Sequence, residues 1–150
     1  MIKLVSISFL LISLFSCGTY SEDEKSAFDK KIENFIKKSG VKYKKSETGL
    51  YYSILEEGEG DFIKLTDEVS FTYEGKLLNG EIFDGENKRT PIKFLVSDLI
   101  QGWQEALLSM KKGSKVKLVV PPQLGYGDYK LEDIPVNSVL YFHLEVIDVL

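Results

Sequence analysis

The residue types that most often bind metals or act as nucleophiles are scarce in this chain. Its 150 residues include one cysteine, Cys17, and one histidine, His143. A zinc site needs several Cys or His ligands, and a Cys–His–Asn protease needs a cysteine and a histidine that meet in the fold. The sequence gives these two residues no such companions. We therefore expect no metal, no cofactor and no catalytic nucleophile.

The composition is that of one globular domain without a nucleic-acid surface. Apolar residues make up 43% and aromatic residues 12% of the chain, and 150 residues are enough for one core but hardly for two. The formal net charge is -4. A nucleic-acid surface needs concentrated positive charge, so we expect no nucleic-acid partner.

The first seventeen residues resemble the export signal of a bacterial lipoprotein. Lys3 precedes a mostly apolar run at residues 4–15, which is too short to span a bilayer. Leu14–Phe15–Ser16–Cys17 is similar to the bacterial lipobox. An unpaired thiol is a liability in an oxidising compartment, which favours lipidation over an ordinary cysteine beside a conventional cleavage site. The prediction is a signal peptide at residues 1–16 and lipidation at Cys17, with attachment to a membrane.

Residues 17–40 are predicted to form a short tether and an amphipathic helix. Ser21 and Glu24 have the spacing of a capping box, and Gly40 is a stop signal, so we expect a helix at residues 22–38. Its apolar stripe consists of Phe28, Ile32, Phe35 and Ile36. The stripe has two possible uses: it packs on the neighbouring domain, or it serves as a dimer arm or a surface for unfolded clients.

Residues 41–150 change from helical periodicity to the alternation typical of strands. Strands are predicted at residues 50–55, 69–74 and 140–146, among others, and Asn79–Gly80 is a signal for a two-residue turn. Residues 100–110 are the one predicted helix of this region, and Gly113 is expected to end it. The fold class is therefore α+β, a curved antiparallel sheet wrapped around one short helix.

Several motifs in this region are similar to those of the FK506-binding protein (FKBP) family of peptidyl-prolyl cis/trans isomerases. The resemblance spans residues 48–150, and the order and spacing of the motifs carry it. The motifs are VSFTYEGKL at 69–77, NG at 79–80, FD at 83–84, LIQGW at 99–103, MKKG at 110–113, PP at 121–122, LGYG at 124–127 and IP at 134–135.

The resemblance implies an apolar pocket for an Xaa-Pro peptide. The catalytic residues that it implies are Tyr73, Phe83, Asp84, Trp103, Tyr126 and Phe142. The substrate-binding residues that it implies are Ile92, Leu99, Ile100 and Ile134. In the family, the tryptophan is the pocket floor, the isoleucine N–H and the tyrosine hydroxyl bind the ligand, and the aspartate lies at the rim. From the residues alone, Trp103 could be a core tryptophan and Asp84 could begin a turn.

Such a pocket can catalyse without reactive side chains. Rotation about a prolyl bond costs about 18–20 kcal/mol because the planar amide loses its resonance. A water-poor apolar cleft favours the less charge-separated twisted amide, and a few donors can hold the flanking carbonyls. This agrees with a chain that has no usable cysteine or histidine.

The sequence departs from the family pattern at the pocket rim. The loop at residues 84–91 is one residue shorter than in well-known members, and Arg89 matches the family arginine only loosely. Ile92 stands where a pocket phenylalanine is familiar. Charged residues at 128–133 replace a glycine-rich turn.

The resulting functional hypothesis is a membrane-anchored isomerase of the bacterial cell envelope, facing the periplasm or the cell surface. The expected partners are unfolded or exported polypeptides that contain proline, and the resemblance implies that macrolides of the FK506 type are possible inhibitors. The alternative is a catalytically weak chaperone or binding module on the same fold.

Overall fold

The computed structural model describes residues 20–85 and 90–150. The predicted signal peptide, Cys17 and Arg89 lie outside these residues. Within the described part, no helix combines the length and apolarity needed to cross a bilayer.

The described residues contain two α-helices and seven strands, together with short 3-10 helices at Val96–Asp98 and Pro122–Leu124. The fold begins with helix α1, Glu22–Ser39. The elements that follow are β1 (Lys44–Lys45), β2 (Tyr51–Glu56), β3 (Glu68–Leu77), β4 (Ile82–Asp84), β5 (Ile92–Leu95), α2 (Gln101–Leu107), β6 (Lys115–Val120) and β7 (Leu140–Val149).

The strands form one antiparallel sheet in which β7 is central. The order is β1-β2-β6-β7-β3-β4, and β5 pairs with β3 beside β4. β7 pairs with β3 from Val149 to Leu140 and with β6 along its other edge. Register shifts interrupt the β2–β6 and β3–β7 pairs, and such bulges bend a sheet. This is the predicted α+β architecture.

The two faces of the sheet carry the two helices. Along β6, Leu118 and Val120 belong to the main core with α2, whereas Val119 belongs to a second cluster with α1. Along β7, Leu140, Phe142, Leu144 and Val146 are buried and His143 is exposed, as predicted. The period of two in strands places successive side chains on opposite faces, so α1 and α2 cover opposite sides of the sheet.

Helix α1 has the predicted capping box and ends one residue beyond the predicted Lys38. Ser21 Oγ accepts a hydrogen bond from Glu24 N at 3.3 Å, and Glu24 Oε2 accepts one from Ser21 N at 2.8 Å. Phe28 and Ile32 are buried against Tyr51 and Val119. Of the two predicted uses of the stripe, the structure shows packing on the neighbouring domain.

Helix α2 is shorter than the predicted helix at residues 100–110. Beyond Leu107 the backbone hydrogen bonds run to the residue three positions earlier, as in a 3-10 helix. Ser109 N donates to Ala106 O at 3.1 Å, and Met110 N donates to Leu107 O at 2.9 Å. Gly113, at φ 86°, lies in the turn before β6 and does not cap the helix.

The turn between β3 and β4 has three residues, 78–80, between the paired Leu77 and Glu81, and not the predicted two. Gly80 N donates to Leu77 O at 3.0 Å, and Leu77 N donates to Glu81 O at 2.8 Å. Gly80 has a positive φ of 92°, whereas Asn79 has not. A type I turn followed by a glycine bulge has this pattern. Asn79 instead accepts a hydrogen bond from Glu81 N through its side chain, at 3.0 Å.

Candidate functional site

Trp103 lies at the centre of an aromatic cluster on the α2 side of the sheet. Its side chain is fully buried, and its ring is T-shaped to Tyr73 at 5.2 Å and to Phe142 at 5.1 Å between centroids. A third ring, Phe71, lies 5.0 Å away. Edge-to-face packing of this kind fixes ring orientations as well as burying apolar area. Trp103 is thus held from three sides.

Trp103 reaches this position because α2 approaches β6 closely at the residue before it. A Cβ on Gly102 would lie 2.7 Å from Val120 Cγ1, so a larger residue would push the helix away from the sheet. From the sequence, Gly102 was expected to let Trp103 pack close to a ligand. Its role here is steric.

Phe83 forms a second wall beside Phe142. The two rings are perpendicular, with centroids 5.7 Å apart. Phe83 lies across β3 at Gly75, where an added Cβ would come within 2.6 Å of the Phe83 ring. Gly75 was not predicted as a site residue, although its place in the VSFTYEGKL motif, opposite Asp84 of β4, was a possible signal.

Asp84 provides the polar side of the cluster. Its Oδ2 accepts a short hydrogen bond from the Tyr73 hydroxyl, and its Oδ1 accepts one from Gly85 N at 2.7 Å. Gly85 has φ 84°, and a Cβ there would meet Tyr73 O at 2.2 Å. Asp84 therefore bonds both the backbone of the next residue and the aromatic cluster, while the turn predicted to begin at Asp84 would extend beyond the described residues.

The charge of Asp84 acts on two buried phenols. Burial, followed by the hydrogen bond and the charge of Asp84, raises the pKa of Tyr73 far above its ordinary value. Burial and then the charge of Asp84 raise the pKa of Tyr126 as well. Both hydroxyls therefore keep their protons to a higher pH than an ordinary tyrosine does.

Leu99 and Ile100 lie at the start of α2. Ile100 is the N-cap residue and has no side-chain cap. Gln104 Nε2 donates to Leu99 O at 2.7 Å and to Ser97 O at 3.1 Å, which holds the chain that enters the helix. Among the described residues, none accepts a hydrogen bond from the Ile100 N–H. Sequence reasoning missed Gln104, which directly follows the LIQGW segment at 99–103.

Tyr126 and Ile134 lie on the loop between β6 and β7. Both are buried, with Ile134 exposing only 1% of its surface. Ile92 is at the start of β5, opposite Phe71 and half-buried.

The structure brings the ten predicted pocket residues together. Asp84 joins the group through its bond to Tyr73. The other nine belong to, or pack against, one hydrophobic cluster; they are Tyr73, Phe83, Ile92, Leu99, Ile100, Trp103, Tyr126, Ile134 and Phe142. The arrangement surrounds Trp103 with aromatic rings and places the Asp84 carboxylate at their border. The described residues contain no cluster of three or more His, Cys, Asp or Glu suited to a metal.

An antiparallel sheet that holds a short helix and an aromatic cluster at its buried face defines a class of domain, and comparisons with known proteins give the family. The sequence model of the FKBP-type peptidyl-prolyl cis-trans isomerases matches residues 60–147. The FKBP-type peptidyl-prolyl cis-trans isomerase FkpA of Buchnera aphidicola subsp. Schizaphis graminum is 43% identical over 120 residues, 79% of this chain. The chain belongs to the FKBP-type peptidyl-prolyl cis-trans isomerase family.

Solved structures agree with this assignment. The crystal structure of FkpA from Escherichia coli has a TM-score of 0.74 and 40% identity, and the match covers 85% of this chain and 61% of that one. A peptidyl-prolyl cis-trans isomerase from Pseudomonas syringae pv. tomato has a TM-score of 0.69 and 30% identity, covering 83% of this chain and 95% of that one. The match covers less than half of the length of FkpA from Buchnera aphidicola subsp. Schizaphis graminum, 47%, and of FkpA from Escherichia coli strain K12, 43%.

Proposed function

We propose that this chain is a peptidyl-prolyl cis/trans isomerase that accelerates the folding of exported polypeptides at the bacterial cell envelope. The observation that carries the proposal is the buried Trp103, ringed by Tyr73 and Phe142 and bordered by the Tyr73–Asp84 hydrogen bond. The membership of the FKBP-type isomerase family supports the same reaction.

The apolar surroundings of Trp103 favour rotation of the prolyl bond. A planar amide carries more charge separation than a twisted one, so removing water raises the free energy of the planar ground state relative to the twisted transition state. Phe83 and Phe142 stand at a right angle beside the tryptophan. In the proposed complex the proline ring lies on the Trp103 ring, between these walls.

In the proposed complex, hydrogen-bond donors of the site hold the twisted peptide. The Tyr126 hydroxyl keeps its proton at neutral pH like any tyrosine, and burial, followed by the charge of Asp84, raises its pKa further. The Ile100 N–H donates to no described residue. The Trp103 Nε1 is also buried, with no partner among the described residues. Unpaired buried donors cost about 1–3 kcal/mol each, and a bound peptide carbonyl would remove that cost. In this proposal Tyr73, Phe83, Asp84, Trp103, Tyr126 and Phe142 are catalytic, and Ile92, Leu99, Ile100 and Ile134 contact the substrate.

We also propose that Cys17 carries the lipid anchor of an envelope lipoprotein, which faces the periplasm or the cell surface. The residues that support it are Leu14–Phe15–Ser16–Cys17 and the short apolar run that precedes them. Macrolides of the FK506 type are proposed ligands of the same aromatic site.

The alternative is a catalytically weak module that holds unfolded clients through α1 or the altered rim at residues 128–133, and the packing of the α1 stripe on the sheet speaks against the first of these surfaces. Phe28 and Ile32 are buried against the sheet, and Phe35 lies against Tyr141 at 5.5 Å between ring centroids. We therefore retain the isomerase as the proposed function.

A proline tetrapeptide assay tests the proposal. The full chain, in mild detergent, is expected to raise the cis-to-trans rate in proportion to its concentration. Asp84→Asn keeps the shape of the side chain but removes its charge, and we expect it to lower kcat/KM about tenfold with unchanged circular dichroism. Equal isomerisation rates with and without the chain would contradict the proposal.

A further inference from the structure

A hydrogen bond joins the N-terminal helix to the loop that carries two of the pocket residues. The Tyr20 hydroxyl donates to Asn137 Oδ1 at 2.7 Å, across 117 positions in sequence. Tyr20 directly precedes Ser21, the N-cap of α1. Asn137 lies on the loop between Tyr126 and β7, three residues beyond Ile134. The start of the helix therefore contacts the rim of the pocket.

Asn137 closes this loop at its base. Its N–H donates to Gly127 O at 2.8 Å, and Gly127 is the residue after Tyr126. Inside the loop, Leu131 N donates to Ile134 O at 3.2 Å. A change in the position of Asn137 would therefore move both Tyr126 and Ile134.

The backbone of Asn137 needs support of this kind. With φ 57° it is the one non-glycine residue among residues 20–85 and 90–150 in the left-handed region. That region is unfavourable for residues with a Cβ, although asparagine tolerates it better than most. The hydrogen bond from Tyr20 fixes the orientation of the Asn137 amide while its backbone holds this conformation.

Other contacts strengthen the same connection. The Tyr20 ring packs edge-on against Phe28, 5.3 Å between centroids. Phe28 and Ile32 of α1 share a buried cluster with Val139, at the end of the loop. Burial, and then the nearby charge of Asp128 on the loop, raise the pKa of Tyr20.

We propose that helix α1 sets the position of the substrate-binding loop through the Tyr20–Asn137 hydrogen bond, with Tyr20 as a positioning residue for Tyr126 and Ile134. The inference rests on the proposed isomerase function. It gives α1 a role at the pocket although the helix lies on the opposite face of the sheet. If the loop is loosened, we expect the peptide to bind more weakly, because the Tyr126 hydroxyl is no longer preorganised in its binding position.

Tyr20→Phe is the test, because it keeps the ring on Phe28 and removes only the donor. In the full chain in detergent, we expect kcat/KM for a proline tetrapeptide to fall about fivefold, mainly through a higher KM. The matched control is Tyr51→Phe, which removes another hydroxyl from the interface with α1, one that bonds Asp29 at 3.4 Å. We expect the control to keep the wild-type kcat/KM.

A double-mutant cycle and hydrogen exchange separate positioning from general destabilisation. Asn137→Gly keeps the left-handed backbone and removes the acceptor, so its effect and that of Tyr20→Phe should not add. In Tyr20→Phe the Asn137 and Leu131 amides should exchange at least about fivefold faster, while β7 amides stay unchanged.

The outcomes distinguish this inference from the proposed function. Faster loop exchange with a raised KM supports it. Unchanged exchange, additive effects in the cycle, or faster exchange with an unchanged KM would overturn it. If the wild-type chain has no isomerase activity but Tyr20→Phe still speeds exchange in the loop, the contact positions the loop and it is the isomerase function that fails.

Discussion

At the scale of single residues, Asp84 organises the polar part of the candidate site. One carboxylate oxygen accepts from the Tyr73 hydroxyl and the other from Gly85 N at 2.7 Å. Its charge also contributes to the raised pKa of Tyr126. One side chain thus bonds Tyr73 and the backbone of Gly85 and adds to the effect of burial on the pKa of two phenols.

The raised tyrosine pKa values predict a loss of stability in alkaline solution. In the unfolded chain tyrosine loses its proton near pH 10, whereas Tyr73 and Tyr126 keep theirs when folded, and the pKa of Tyr43 is raised to about 12 by burial. The unfolded state therefore binds fewer protons above pH 10, and the free energy of unfolding falls there; below pH 10 this contribution is fully present.

Tyr73→Phe tests this expectation by denaturant titrations between pH 8 and pH 11. Each buried tyrosine should contribute a slope of about -1.4 kcal/mol per pH unit above its ordinary pKa, so the variant should lose stability less steeply than the wild type. The control is Tyr129→Phe, which removes the hydroxyl of an exposed tyrosine. The explanation is wrong if Tyr73→Phe keeps the wild-type slope.

At this scale the sequence predicted the residues of the candidate site but not their partners. The resemblance supplied all ten pocket positions, and the structure places them in one cluster. It did not supply the bond between Tyr73 and Asp84, because that contact depends on the hairpin register opposite Gly75. Gln104 and Gly75 were missed for the same reason, since neither residue type signals its role without its neighbours.

At the scale of elements, the close approach of α2 to β6 sets the position of Trp103. The sequence predicted α2 at the right place but too long, because Lys111–Lys112–Gly113 has the composition of a helix end. In the structure, hydrogen bonds of the 3-10 type already replace those of the α-helix after Leu107. Local composition could not show that Gly113 lies in the turn before β6 and does not cap the helix. The Asn79–Gly80 turn was miscounted in a similar way, because only Gly80 takes a positive φ.

Gly102→Ala tests the importance of this approach. The new Cβ would stand 2.7 Å from Val120 Cγ1, so we expect a loss of about 1–3 kcal/mol in the free energy of unfolding. The emission of Trp103, the only tryptophan in the chain, should shift at the same time. Val120→Ala added to Gly102→Ala makes room and should recover part of the emission change. An unaltered emission and stability in Gly102→Ala would contradict the steric argument.

At the scale of the whole molecule, the short tether links the proposed anchor to the pocket. Tyr20 is three residues beyond Cys17, so no more than about 11 Å of extended chain separates their Cα atoms. If Cys17 is lipidated, Tyr20 and the loop that it contacts are held near a membrane surface.

Cys17→Ser tests the anchor. We expect the variant to leave the membrane fraction and to stop incorporating labelled fatty acid, because two or more acyl chains are what hold such a protein stably. Ser8→Ala, in the same apolar run, should fractionate like the wild type. Normal labelling and membrane recovery of Cys17→Ser would show that Cys17 is not the anchor.

The central position of β7 has a consequence for vectorial folding. β7 lies between β6 and β3 and bonds both, yet it occupies residues 140–149, more than sixty positions after β3. Contacts this distant in sequence form late because they must close long loops. A chain that emerges from a ribosome or a translocation pore therefore lacks the middle of its sheet until residue 149 is free. Until then the sheet is incomplete, and we expect the chain to stay unfolded enough to pass through a narrow pore.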